Sequence, residues 1–284
     1  MGLKIHAICM ALNEEPFING LLNSLYPFCS GISIITQYDR DFYYNPVIPD
    51  NTVNLVLNYP DPDGKIHLSV SRFNHEAAAR NHEMLSILVN PIKNKLTPQH
   101  GVVMQKVQEF YSKPDYFLIV DADEIFDIQT LAKIIEYLEN KKPRGMRITG
   151  YQYKYTWNQR IPISVVNHTH FGFVKSGLLF QHNRVITWDE SRLNKLFTYI
   201  NCPNLGTKLL GFISCPVDVG VFHHGAYLGG KERLYEKFRK HSHQDIIKTE
   251  GYLNKIDELP YDFIPTEDLP DNIRKGNWPA NFFD

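Results

Sequence analysis

The sequence predicts an α/β protein: a mostly parallel central sheet flanked by helices in its first half, then a mixed β half and a helical C-terminal segment. Three observations predict it. Short β-rich runs alternate with helical patterns up to Asn140, the signature of parallel strands joined by crossover helices. Beyond Pro143 the chain turns β-rich and aromatic and loses that rhythm. With 284 residues, 43% hydrophobic and 21% charged, it has the composition of a folded chain able to bury a sizeable core.

The elements follow in order. Ile5 to Leu12 is an apolar run closed by Asn13-Glu14-Glu15, and Pro16 suits the first turn of a helix ending near Leu25. Ile32 to Ile35 is a second strand, ending in Gln37-Tyr38-Asp39-Arg40-Asp41. Val53 to Leu57 is expected as the third, before the turn-rich Asn58 to Gly64 and a helix from about His75 to Leu88. Tyr116 to Val120 is the fourth. It runs into Asp121-Ala122-Asp123-Glu124, and a helix from Ile128 to Asn140 carries Leu131, Ile134, Ile135 and Leu138 on one face. Gly145 to Tyr155 and Phe171 to Trp188 are β-rich, Lys231 to Lys248 is helical and basic, and the tail from Leu259 is extended. The chain divides at about 145 and 228 into 1–145, 146–228 and 229–284.

Thirty Lys and Arg nearly cancel 31 Asp and Glu, which argues against a nucleic-acid partner. Cys9, Cys29, Cys202 and Cys215 form no C-x-x-C pair, so reduced thiols in a cytoplasmic setting are expected. The N-terminal apolar stretch is too short for a signal peptide, and with no run of ~18 apolar residues any membrane contact is expected to be peripheral. Asn167-His168-Thr169 spells a glycosylation sequon, read as a chance match.

Asp-x-Asp occurs as Asp39-Arg40-Asp41, Asp61-Pro62-Asp63 and Asp121-Ala122-Asp123. The second lies in a Pro and Gly turn where Asp bonds nearby backbone. Only the third is followed by a further acid, Glu124. Carboxylates crowded at a strand end repel unless a cation neutralises them, and a hard divalent ion suits oxygen ligands. Ligands on open α/β sheets bind beyond the strands' carboxyl ends. Mg²⁺ or Mn²⁺ held there with open positions binds a diphosphate and neutralises it as it departs. Acids that merely cap the following helix are the plainer alternative.

With Met10-Ala11-Leu12-Asn13-Glu14-Glu15, Glu76-Ala77-Ala78-Ala79-Arg80-Asn81 and Leu118-Ile119-Val120-Asp121-Ala122-Asp123-Glu124 in this order, the chain resembles the GT-A glycosyltransferases, within them the family 2-like group. The resemblance covers roughly Lys4 to Asn140, with a looser match around Phe222 to Tyr227. It implies a GT-A fold whose nucleotide-sugar-binding half is 1–145 and acceptor-side half 146–228. It implies a nucleotide-sugar donor, UDP-linked in preference, near Asn13, Glu14, Asp39, Arg80 and Asp121. Asp121 and Asp123 would hold Mn²⁺ or Mg²⁺, and the product would form with inversion on a glycan, glycolipid or protein acceptor. Arg80 and Asn81 read equally well as the solvent face of an amphipathic helix.

Downstream, His224 before Gly225 is the preferred third metal ligand and His223 the second choice, against two structural histidines. Asp189 and Glu190 are the candidate general bases for the acceptor hydroxyl; the family commonly writes this pair as Glu-Asp, and here the order is reversed. Trp157, Trp188, Tyr151, Tyr153 and Tyr155 offer a stacking platform for an acceptor, or core. The basic stretch from Lys231 through Lys237 to His243 offers contact with phosphates or anionic lipid, or a solvated helix face. Two rivals stand beside the transferase: a nucleotidyltransferase or nucleotide-sugar hydrolase, the former disfavoured because no Gly-rich loop follows the first strand, and an inactive carbohydrate-binding or scaffold protein on the same fold.

Overall fold

The computed structural model describes residues 2–37, 39–41, 45–70, 75–89, 113–166, 168–182, 185–186, 210–240 and 249–283. Within them a mixed α/β architecture is built on one large sheet. Its first half carries strands β1 (Ile5–Met10), β2 (Gly31–Thr36), β3 (Ile66–Val70) and β4 (Tyr116–Asp121), and helices α1 (Glu15–Leu25), α2 (Thr52–Asn58), α3 (Glu76–Val89) and α4 (Ile128–Lys141). These strands are all parallel, in the order β3-β2-β1-β4. The strands read as nearly continuous apolar runs because both faces are buried. Ile5, Ala7, Leu118 and Val120 meet Phe17, Leu21, Leu131 and Ile134 on one face. Ile8, Phe117 and Ile119 meet Ala77, Met84 and Ile87 on the other.

The second half continues the sheet with mixed parallel and antiparallel pairing. It adds β5 (Glu124–Ile125), β6 (Gly145–Tyr153), β7 (Gln159–Ile161), β8 (His168–Lys175), β11 (Phe212–Ser214) and β12 (Phe222–His224), while β9 (Phe180–His182) and β10 (Val185–Ile186) form a separate two-stranded antiparallel sheet. Strand β8 bonds antiparallel to both β4 and β6, while β12 lies parallel to β6 and antiparallel to β5. Helices α5 (Gly230–Lys240), α6 (Thr249–Glu258) and α7 (Asp271–Arg274) follow, with β13 (Asp262–Phe263) pairing β7. Among the described residues no helix is long and apolar enough to cross a membrane. Cys9, Cys29 and Cys215 are free and buried.

The expected third strand is corrected. Val53 to Leu57 is helical, with Thr52, Val53 and Val56 buried on one side, and β3 is the later Ile66–Val70. A short apolar run fits either period. Here local polar groups decide: the Asp50 carboxylate accepts from the Thr52 amide at 2.8 Å, and the Thr52 hydroxyl accepts from the Glu14 amide at 2.8 Å. The Asp61-Pro62-Asp63 turn is as expected, its Asp61 carboxylate accepting from the amides of Lys65 and Ile66, with Gly64 at φ 62°.

Candidate active site

The parallel strands end along one edge of the sheet, and the acidic motif stands there. Strand β4 delivers Asp121; a tight turn through Ala122 and Asp123 leads into β5. The Asp121 side chain keeps 36% of its surface exposed and binds Arg80 Nη2 at 2.7 Å. Arg80 is wholly buried and holds Glu76 with its other terminal nitrogen at 3.2 Å. It is therefore no solvent-facing residue of α3, because its charge is spent inward on two carboxylates. Asn81 is also committed, exchanging hydrogen bonds of 2.6 and 2.7 Å with the Phe180 backbone.

Asp123 has different partners and is 3% exposed. Its Oδ2 meets Lys237 Nζ of α5 at 2.5 Å, and its Oδ1 faces His224 Nε2 at 3.5 Å. Lys237 also reaches Glu14 Oε1 at 3.0 Å, and Arg233, one turn earlier, reaches Glu14 Oε2 at 3.2 Å. Burial pushes the Asp123 carboxyl up, but Lys237 and His224 outweigh it and hold the group well below the usual carboxylate range. Burial opposes the Lys237 ammonium as well, yet Asp123 and Glu14 keep its pKa above the ordinary lysine value. Glu14 ends raised, since burial and its neighbour Asp123 exceed the pull of Lys237 and Arg233.

Strand pairing brings His224 from a hundred residues away. In the β12–β5 ladder His224 lies opposite Glu124, and the Gly225 amide donates to the Asp123 carbonyl at 2.8 Å. Gln152 fixes the ring through Nδ1 at 2.7 Å, which leaves Nε2 toward Asp123. His223 alternates to the opposite face, where Tyr153 meets its Nδ1 at 2.6 Å and burial lowers its pKa to about 4.

Asn13 closes β1 in the left-handed region, at φ 55°; its amide donates to the Ile48 carbonyl at 2.9 Å and its carbonyl accepts from the Asp50 amide. It thereby ties the segment before α2 to the strand ends. Asp39 sits in the same segment, its carbonyl accepting from Val47 at 2.9 Å, while Asp41 binds Asn45 in a turn. Asn13, Glu14, Asp121 and Asp123 are thus gathered near one strand-end edge. Asp189, Glu190 and Trp188 lie outside the described residues.

Two expectations from the second half change. Trp157 and Tyr153 are core, 0% and 1% exposed, and Tyr155 gives its hydroxyl to Asp257; a platform of these rings is not formed. Of the basic stretch, Lys231 is on the surface beside Asp257, but Arg233 and Lys237 are turned into the acidic motif. Their spacing of four on a helix whose Leu234 and Phe238 are buried carried that signal. Glu124 was read only as a further acid of the motif, and its partners His168 and His170 were missed. Glu124 Oε2 accepts from the Asp121 amide at 3.0 Å, and Oε1 faces His170 Nε2 at 3.2 Å and His168 Nε2 at 3.8 Å.

No family model matches the sequence. Comparison with curated proteins gives no match either. Among solved structures, the chain is similar to S. aureus TarS 1-349 in complex with UDP-GlcNAc, at 15% identity and TM-score 0.46 over 89% of this chain and 70% of that one. The same TarS fragment with UDP gives 14% identity and TM-score 0.42, covering 69% of that chain. Against the longer TarS structure the match spans 42% of that chain at TM-score 0.40.

Proposed function

We propose that this protein is a divalent-metal-dependent glycosyltransferase that moves a sugar from a nucleotide-sugar donor to a hydroxyl acceptor with inversion. The observation that supports it most is the unequal placement of the Asp121 and Asp123 carboxylates at the carboxyl edge of four parallel strands. One is partly exposed and the other is buried against His224. Two carboxylates and an imidazole suit Mn²⁺, with Mg²⁺ as the harder alternative. Asp123 Oδ1 and His224 Nε2, 3.5 Å apart, are spaced as neighbours in one coordination shell. Bound by Asp121, Asp123 and His224, the ion would supply positive charge to the departing diphosphate.

The protein's own groups do the rest. Arg80 acts on the donor through Asp121, fixing its carboxylate instead of touching phosphate. Asn13, Glu14 and Asp39 shape the wall for the nucleoside, with UDP the favoured form. Arg233 and Lys237 add positive charge beside the phosphates, and Asp189 or Glu190 takes the acceptor's proton. The acceptor would be a glycan, glycolipid or protein hydroxyl.

One observation favours a second reading. Lys237 already neutralises Asp123 at 2.5 Å, as expected of a protein that keeps this fold to bind carbohydrate without turning it over. Incubation with UDP-, GDP-, CDP- and dTDP-sugars and a set of hydroxyl acceptors decides between them. The transferase predicts Mn²⁺-dependent release of one nucleoside diphosphate, lost in Asp121→Asn; binding without release from any donor supports the second reading.

A further inference from the structure

Beside the acidic motif, a second set of ligand groups converges on one point. His168 and His170 alternate on β8 and so project from the same face of the sheet. Strand β5 sets Glu124 against them: its Oε1 is 3.2 Å from His170 Nε2 and 3.8 Å from His168 Nε2. The three donor atoms all lie within 4.8 Å of one another. Metal–nitrogen bonds of roughly 2.1 Å place neighbouring ligands of a tetrahedral ion about 3.4 Å apart, close to the 3.2 and 3.8 Å that separate Glu124 from the two imidazoles.

The surroundings are those of a supported site. Glu124 is 1% exposed, and its second oxygen is fixed by the Asp121 amide. A buried carboxylate calls for nearby positive charge, and two imidazoles face Oε1 here. Phe222 packs on His170 at 4.8 Å between centroids and on His168 at 5.7 Å, forming an apolar wall. It can lie there because the residue beside it is Gly150, where a Cβ would come within 2.3 Å of the Phe222 ring. His224 stacks on His168 at 4.3 Å. The His168 side chain is 31% exposed, which gives an ion held there one side open to a water or a substrate oxygen.

We propose that Glu124, His168 and His170 form a site for a borderline divalent transition ion of the Zn²⁺ type, separate from the ligand set Asp121, Asp123 and His224. Two nitrogens and one oxygen select zinc, cobalt or manganese over calcium or magnesium, which prefer oxygen shells. A three-ligand site with an open position is the pattern of zinc bound for chemistry instead of closed structural bracing. An ion there also joins β5 to β8, elements distant in sequence.

The test is metal binding by the full chain without any nucleotide, so that it stands apart from sugar transfer. Protein stripped with a chelator is titrated with Zn²⁺ against a chromophoric indicator, and with Co²⁺ by its ligand-field absorption. One ion per chain is expected at this site, counted in Asp123→Asn so that uptake by Asp121, Asp123 and His224 does not add to it. His170→Ala, His168→Asn and Glu124→Gln each weaken binding by about tenfold or more, while Asp123→Asn leaves it unchanged. Absence of stoichiometric binding in the wild type overturns the proposal, as does wild-type affinity in the histidine variants. Loss in Asp123→Asn with retention in His170→Ala overturns it too, since the ion then belongs to the acidic motif. Should His170→Ala fail to fold, the partly exposed His168→Asn carries the decision alone.

Discussion

Lys237 is the residue on which the acidic motif depends for its charge balance. It sits between Asp123 and Glu14, and both carboxylates are largely buried. Lys237→Met removes the ammonium and leaves Asp123 facing Glu14, so a loss of about 3 kcal/mol is expected, read from urea unfolding. A loss below about 0.5 kcal/mol, the scale of an ordinary surface substitution, would show that the pairing is dispensable. Arg80→Lys is predicted to cost about 2 kcal/mol despite keeping the charge, because a lysine cannot hold Asp121 and Glu76 with two separate nitrogens. Circular dichroism melts of the variant check it. At this scale the sequence disclosed which residue types mattered and concealed which way they point. Arg80, read as either ligand-binding or solvent-facing, is inside; His223 and His224 are told apart only by strand alternation.

Among the elements, the helix and strand periods were legible wherever they were long. Helix α4 shows why: Asp127 caps it through the Thr130 amide at 2.9 Å, Leu131, Ile134 and Leu138 line its buried face, and Lys142 ends it at φ 47°. Helix α2 and strand β3 were misread because the four apolar residues of Val53 to Leu57 fit two periods, and because His67 and Ser69 break the apolar run of a strand whose Ile66 and Leu68 are buried. The pairing of β12 with β5 was not legible at all, since register between distant strands is a tertiary fact. Gly225 tests that pairing. A Cβ there would lie 2.5 Å from the Phe17 ring, so Gly225→Ala is expected to cost about 1–3 kcal/mol through overpacking and to move His224 off Asp123. Unfolding by urea measures the first effect, and the His224 imidazole resonances report the second.

Over the whole molecule, stability should fall on acidification, through groups buried under the sheet. His6 bonds Ser33 at 2.9 Å, and Glu83 meets His67 at 3.1 Å. Burial lowers His6 from 6.5 to about 3. The unfolded chain therefore takes a proton as pH drops through 6.5, which the folded chain refuses until about 3, and stability is lost across that window. For Glu83, burial works upward, but the bonds from His67 and Ser33 prevail and bring it to about 2. Its contribution is complete above pH 4.5 and is lost as pH falls toward 2. Each unit of separation corresponds to about 1.4 kcal/mol. Urea midpoints should hold above about pH 7 and decline below it, with His6→Gln shallower between 6.5 and 4.5; an equal slope in both proteins would contradict the assignment.

The shared edge of four parallel strands, with Asp121 and Asp123 upon it, is where the proposed donor site would lie. Thermal unfolding with a UDP-sugar, with and without Mn²⁺, tests that most directly in wild type and Asp121→Asn. A ligand at about 100 times its dissociation constant adds ~2.7 kcal/mol, a rise of a few degrees. The account predicts such a rise for the wild type only when Mn²⁺ is present, and none for Asp121→Asn. An equal rise in both proteins, or no rise with UDP-, GDP-, CDP- or dTDP-sugars, would contradict it.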